Sequence, residues 1–341
     1  MKPNPLSADL YHILDHTRDL WEDLRGARLF ITGGTGFFGC WLLESFLFAN
    51  EILDLKASAT VLTRRPDSVQ QTLPHLMLDP AITLIKGDVR NFEFPKGEYS
   101  HIIHAATETT LVDPLDKIIS NIEGIRRVLD FALASGAGKF LFTSSGAVYG
   151  KQPSDMTHIP ESYLGAPEPS DLTTAYGQSK RASEFLCTTY ANKYGFQATI
   201  ARCFAFVGPR LPLDSNYAIG NFIQDAMMGV PIKISGDGTA YRSHLYAADL
   251  AIWLWTILLR GKSCHPYNVG SESDLSIADL AGMVAKSIAP GLAIKITRQH
   301  GSDEPIERYV PLTHRAKNEL GLQELINLQD AIQRTAKWCA L

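Results

Sequence analysis

The sequence predicts an α/β fold, a doubly wound parallel sheet followed by a smaller α/β region toward the C-terminus. Three observations predict it. Apolar, β-prone runs alternate with helical patterns from residue 28 to residue 203, the order that crossover connections turn into a parallel sheet. The first run leads into Gly33, Gly36 and Gly39 and then into a helix without a breaker. Beyond Gly208 the pattern shortens around Pro209, Pro212 and Pro231, which marks a second region.

Residues 1–26 form an N-terminal extension that is polar and charged around a few apolar positions. That composition suits neither a signal peptide nor a membrane span, and residues 8–24 read as an amphipathic helix packed on the following domain. Strands are expected at 28–32, 58–63, 82–86, 101–105, 139–144 and 197–203, with helices between them, including 175–194. Residues 27–206 make the dinucleotide-binding domain and 207–341 the mainly substrate-binding region, some of whose segments can return to the first. The apolar stretch 250–259 with Trp253, Leu254 and Trp255 is too short to span a bilayer and reads as a core helix.

The loop Gly33-Gly34-Thr35-Gly36-Phe37-Phe38-Gly39 follows the buried run Leu29-Phe30-Ile31. Its three spaced glycines suit a tight turn, a close backbone approach to a pyrophosphate and close packing of helix on sheet. The helix N-terminus then offers free N–H groups to phosphate. Gly33, Gly36, Phe37, Phe38 and Gly39 are therefore expected to hold a dinucleotide. An acidic residue at the end of the second strand would hold the ribose of NAD, but Arg64 and Arg65 stand there. A pair of guanidinium groups suits a 2′-phosphate, so NADP is favoured over NAD.

Tyr176 and Lys180 fall one turn apart on one face of the helix expected at 175–194. A phenol ionises at about 10, and a neighbouring ammonium favours its phenolate, which suits proton transfer. Ser145 follows the fifth strand, at the carboxyl edge where such sheets bind ligands.

With 45% hydrophobic residues in 341 the chain can bury a large core, and its net charge of -4 leaves no footprint for nucleic acid or an anionic membrane. Cys40, Cys187, Cys203, Cys264 and Cys339 are scattered and odd in number, which reads as reduced thiols of a cytoplasmic protein. No metal is expected: His101 and His104 fall on opposite faces of a strand. Cys264-His265 reads as a lone turn pair and Asp303-Glu304 as a solvated loop.

These motifs, together with Gly87-Asp88-Val89, His104-Ala105-Ala106-Thr107, Asn121, Ser144-Ser145-Gly146-Ala147-Val148-Tyr149-Gly150, Gly236-Asp237-Gly238-Thr239, Arg242, Asp249-Leu250-Ala251 and Tyr267-Asn268-Val269-Gly270, carry a resemblance. The chain resembles an extended short-chain dehydrogenase/reductase of the NAD(P)-dependent nucleotide-sugar epimerase/dehydratase family along nearly its whole length. The resemblance implies a Rossmann-type fold and a nucleotide-diphosphate sugar as substrate, in steps such as those of polysaccharide biosynthesis. It implies Tyr176 as acid/base, Ser145 on the substrate oxygen, and Lys180 on the nicotinamide ribose, with Asn121 supporting Lys180 through water. Asp88 would meet the adenine, and Val89, Ala105, Ala106 and Thr107 would line the cofactor. Asn221, Arg242 and Arg308 match positions on the substrate diphosphate, and a loop such as that of Asp303-Glu304 can approach the substrate. Helices containing 121–133 and 176–194 resemble those of the family's four-helix dimer interface, so a homodimer is expected.

The departures narrow the reaction. Family 4,6-dehydratases carry Asp-Glu after the catalytic hydroxyl residue, and the UDP-glucuronate decarboxylases usually carry Glu where Ala147 stands; here Gly146 and Ala147 follow Ser145. Hydride transfer at C4 remains, with a 4-keto-6-deoxyhexose reductase favoured and a nucleotide-sugar 4-epimerase as alternative. A dehydratase or decarboxylase ranks lower, and a catalytically silent NADP-binding sensor lowest. Ala205 stands where many relatives carry Asn, and Arg210 follows Gly208-Pro209, so the sugar pocket is expected to differ from that of the commonest epimerases.

Overall fold

Parallel strands covered by helices need apolar runs, and the chain supplies them at β1 (Arg28–Thr32), β2 (Ser58–Thr63), β3 (Ile82–Lys86), β4 (His101–His104), β5 (Lys139–Ser145) and β6 (Gln197–Cys203), the edge strand β3 being the most exposed of the six. The computed structural model describes residues 4–340 except 68, 70–72, 109–110, 215–216 and 302–304. Asp303 and Glu304 thus lie outside the described residues. With β11 (Pro266–Val269) these strands form a seven-stranded sheet in the order β11-β6-β5-β4-β1-β2-β3. The pairings β1 with β2 and β4, β2 with β3, β4 with β5, and β5 with β6 are all parallel. The seventh strand was not expected from the sequence.

The chain divides into two units. The first comprises Met1–Lys151, Leu164–Cys203 and Ala251–Tyr267, and the second Gln152–Tyr163, Phe204–Leu250 and Asn268–Leu341.

In the first unit, α2 (Phe37–Ile52), α4 (Pro114–Ala134) and α5 (Ala175–Tyr194) link the strands. Phe30 lies at the centre of an aromatic cluster, 4.6 Å from Phe131 and 5.4 Å from Phe92 between ring centroids. Residues 8–24 are not one helix. They divide into α1 (Ser7–Thr17) and a tighter 3-10 segment, Arg18–Leu24. Thr17 Oγ1 donates to the Ile13 carbonyl at 2.6 Å and accepts from Trp21 Nε1 at 2.8 Å, and the tighter winding delivers Leu20, Trp21 and Leu24 to the core. Trp21 packs 4.9 Å from Trp255 of α7 (Ala247–Arg260), and the Trp255 indole donates to Ser45 Oγ at 2.9 Å. The stretch 250–259 is accordingly a buried core helix. Among the described residues no helix is long and apolar enough to cross a membrane.

In the second unit, β9 (Tyr241–Ser243) is the middle strand of β12-β9-β14, with β12 at Asp274–Ser276 and β14 at Arg308–Tyr309. Helices α6 (Ala218–Met227), α8 (Ile277–Ile288) and α10 (Leu328–Cys339) pack together. Asp249 is fully buried, and its carboxylate accepts the N–H groups of Leu325 and Ile326 at 2.9 and 3.0 Å. Asn268 donates to the Ile159 and Leu312 carbonyls at 2.8 and 3.0 Å, which binds the early segment 152–163 to this later unit.

Candidate functional site

The glycine loop lies where β1 and β4 end side by side. Gly33 has φ +73°, and a Cβ there would stand 2.5 Å from the Ala105 carbonyl carbon and the Ala106 nitrogen, so only glycine fits. A Cβ at Gly39 would come 2.2 Å from the Gly33 carbonyl oxygen, so this glycine lets α2 start hard against the turn. Thr32 Oγ1 ties the strand ends together, accepting from Ala106 N at 3.2 Å and lying 2.7 Å from His104 Nδ1. Burial, with the Lys180 charge nearby, pushes His104 down to about 3, so its ring is neutral and structural.

In front of the loop is a cavity of about 550 Å³. Gly33, Gly36, Arg64, Arg65, Asp88, Val89, Ala105, Ala106, Thr107 and Asn121 line it, together with Glu108. The Arg64 side chain is 68% exposed and pairs through Nη1 with Glu108 Oε2 at 3.3 Å, whereas the Glu108 side chain is 13% exposed. Asp88 accepts from Arg90 Nε and Nη2 at 2.8 and 3.1 Å, and that bonding holds its carboxyl below the ordinary carboxylate range. Phe37 and Phe38 open α2 but do not line the cavity. A glycine cradle with guanidinium groups on the β2 side suits an extended anionic dinucleotide, and behind the lining residue Thr107 stands a buried ammonium on α5.

That ammonium is Lys180. It is 3% exposed, and Nζ donates to Thr107 Oγ1 at 2.6 Å and to the Thr143 carbonyl at 2.7 Å. It stands 4.7 Å from the centroid of Phe142 and 5.8 Å from that of Tyr176, and burial lowers its pKa to about 8. Ser145 ends β5, and its Oγ accepts from Ala147 N at 3.2 Å in the turn Gly146–Tyr149. Gly177 lets α5 reach that turn, since a Cβ there would lie 2.6 Å from the Ala147 carbonyl oxygen. Tyr176, one residue earlier, is thereby brought to the turn that follows Ser145.

The model of the NAD dependent epimerase/dehydratase family matches residues 29–270. The chain belongs to this family. Among its relatives, UDP-glucuronic acid decarboxylase 5 of Arabidopsis thaliana is 30% identical over 310 residues, covering 89% of this chain and 87% of that protein. Among solved structures, UDP-N-acetylglucosamine 4-epimerase from Methanobrevibacter ruminantium M1, in complex with UDP-N-acetylmuramic acid, is 20% identical with a TM-score of 0.78, covering 92% of this chain and 98% of that one. DesIV, the dTDP-glucose 4,6-dehydratase from Streptomyces venezuelae with NAD and TYD bound, is 24% identical with a TM-score of 0.76, covering 92% and 97%. These two share the fold.

Against this epimerase/dehydratase frame, the sequence-predicted residues fall into two groups. Ser145, Tyr176, Lys180, Asn121 and the glycine loop all belong to the first unit. Asn121 Nδ2 donates to Ser179 Oγ at 3.1 Å and its Oδ1 accepts from Glu108 N at 2.9 Å. Its direct partners thus steady the loop that carries Thr107, the hydroxyl on Lys180. Asn221, Arg242 and Arg308 belong to the second unit, Asn221 on α6 and the arginines on adjoining strands. The register pairs Arg308 with Tyr241 and Tyr309 with Arg242, so the two arginines leave opposite faces of the small sheet. Arg308 donates to Asp274 Oδ2 at 2.8 Å and stacks 4.0 Å over the Tyr241 ring, whereas Arg242 lies 3.6 Å from Glu307. Among the described residues no group of three His, Cys, Asp or Glu side chains could hold a metal ion.

Sequence reasoning passed over Glu108, which no motif marked. It also passed over Glu184, although that residue follows Lys180 by one further helical turn and the spacing could have revealed it.

Proposed function

We propose that this chain is an NADP-dependent nucleotide-sugar oxidoreductase acting at C4 of the sugar, a 4-keto-6-deoxyhexose reductase in preference to a 4-epimerase. One observation carries the reading. A buried ammonium stands one turn from Tyr176 on a helix packed against the turn after Ser145, and that turn supplies Gly146 and Ala147 where elimination or decarboxylation needs an acid.

Gly33, Gly36 and the first turn of α2 hold the cofactor pyrophosphate, and Arg64 and Arg65 its 2′-phosphate. Lys180 holds the nicotinamide ribose. The bound nicotinamide supplies the hydride. Tyr176 Oη gives its proton to the carbonyl oxygen as that oxygen becomes a hydroxyl, and Ser145 Oγ shares a hydrogen bond with the same oxygen. The Lys180 charge steadies the phenolate that remains. Asn221 and one of Arg242 and Arg308, which leave opposite faces of their sheet, hold the substrate diphosphate.

The protein acts in the cytoplasm as a homodimer. Exposed Leu115 and Ile119 on α4 and Phe185 on α5 give these helices an apolar face for a second copy. Sedimentation tests this, with a monomer expected for Phe185→Lys.

The deciding experiment incubates the protein with NADPH and nucleotide-linked 4-keto-6-deoxyhexoses while following the reduced nicotinamide. Stoichiometric loss of NADPH, abolished by Tyr176→Phe, is the expected result. Inversion at C4 of a nucleotide hexose with no net loss of cofactor would establish the epimerase. Release of carbon dioxide from UDP-glucuronate would overturn both.

A further inference from the structure

Behind the Ser145 turn lies a charged cluster that the reaction as described does not use. Glu184 is 8% exposed and Ser144 3%. Ser144 Oγ donates to Glu184 Oε1 at 2.6 Å, and Arg202 donates from Nε to Oε1 at 3.0 Å and from Nη2 to Oε2 at 2.7 Å. The register of β5 with β6 sets Ser144 beside Arg202, and the Arg202 guanidinium also lies 4.7 Å from the centroid of the Tyr149 ring. One carboxylate therefore joins β5 next to Ser145, β6, and the helix of Tyr176 and Lys180.

We propose that Glu184 is the positioning residue of this site: it fixes α5 in register against the Ser145 strand and is the buried anion that keeps the Lys180 ammonium charged. The inference rests on reading Tyr176 and Lys180 as the reacting pair. Glu184 follows Lys180 by four residues, so the two lie on one helical face. The groups around Lys180 can be taken element by element. From β4 comes the neutral His104 ring, and from the following loop the Thr107 hydroxyl. From β5 come the Thr143 carbonyl and the Phe142 ring. From β6 comes Cys203, and from α5 itself Tyr176, Cys187 and Glu184, the last paired with the Arg202 cation of β6. Burial pushes the Cys203 thiol up to about 12 and Cys187 well above the ordinary thiol value, so both are uncharged where Lys180 titrates. Among these groups Glu184 carries the negative charge that favours the Lys180 ammonium against burial, with part of that charge taken up by the paired Arg202.

The test follows the Lys180 ε-carbon by NMR in protein carrying 13C-labelled lysine, with Lys180→Met providing the assignment. This reads proton binding in the free protein and stands whether or not a nucleotide sugar is turned over. Glu184→Gln should move the Lys180 midpoint about one pH unit lower, a tenfold change in proton affinity. Glu184→Asp, which retains the charge with shorter reach, should leave it near the native value while lowering the melting temperature. In the unmutated protein the Glu184 carboxyl carbon should show an inflection at the Lys180 midpoint, a readout that survives even if Glu184→Gln fails to fold. An unchanged Lys180 midpoint in Glu184→Gln, or no shared inflection in the native protein, would overturn the proposal. Should reduction of the 4-keto sugar fail while the Lys180 shift appears, the reaction assignment falls and the role of Glu184 stands.

Discussion

Gly177→Ala isolates the part of the site that depends on how closely α5 approaches the Ser145 turn. The new Cβ would lie 2.6 Å from the Ala147 carbonyl oxygen and 3.0 Å from Pro167 Cγ. The first is backbone and cannot rotate away, and it falls short of an ordinary contact by about 0.8 Å. The helix start must retreat by most of that distance, carrying the neighbouring Tyr176 with it. A misplacement on the order of 1 Å at a reacting group costs about 100-fold in rate. Stability should move far less. Overpacking costs about 1–3 kcal/mol, and exchanging glycine for alanine in a helix returns up to about 1 kcal/mol. The assay is NADPH oxidation under substrate saturation beside a thermal melt, with Gly282→Ala as control. A Cβ at Gly282 on α8 meets nothing within 4 Å, so that variant should keep full turnover and gain slight stability. A Gly177→Ala protein that melts normally and retains kcat within about threefold would refute the claim that this contact positions Tyr176.

Three further outcomes follow from the geometry. On the proposed NADP reading, Arg64→Ala and Arg65→Ala should each weaken NADPH about tenfold or more, since bonds to a phosphate are charge-assisted, and leave NADH unchanged in a fluorescence titration. Asp23 bonds with Arg260 and lies 3.9 Å from Lys139, and the Arg260 bond holds its carboxyl below the ordinary value. That contribution is complete above the unfolded carboxylate value and is lost as pH falls through the lower folded one. Asp23→Asn should therefore cost less than about 1 kcal/mol at pH 7 for this partly exposed pair, and denaturation curves should merge with those of the native protein in strong acid. Trp255→Ala removes a fully buried indole that packs on Trp21, and melting should fall by about 5 °C for a loss of about 3–5 kcal/mol.

Of the six strands legible in the sequence, β1, β2, β4, β5 and β6 are largely buried and bring apolar residues bounded by glycine and polar turns, whereas the half-exposed edge strand β3 shows itself through Ile82, Leu84 and Ile85. β11 lay hidden because its place beside β6 depends on a return of the chain from 204–250, and no local pattern announces such a return. The break at Thr17 was illegible for a related reason: what decides it is a hydrogen bond to the Trp21 indole and the packing of that ring on Trp255, far along the chain. At the site, Tyr176, Lys180 and the glycines announce themselves through spacing. Glu108 and Glu184 matter because of partners on other elements, Arg64 just past β2 and Arg202 on β6, and only the folded chain brings them together.

The first unit is assembled from three separated stretches, and this has a bearing on the order of synthesis. When residue 206 leaves the ribosome, the helix that covers Trp21 and supplies the indole to Ser45 has not been made, and β6 is still an open edge. Residues 204–250 must be translated before α7 and β11 can complete the sheet. The nascent chain thus holds an exposed apolar face and an unpaired strand through that interval, the condition that invites aggregation. A fragment cut at 206 would remain in that state permanently, so the dinucleotide-binding half is separable in description but not by truncation.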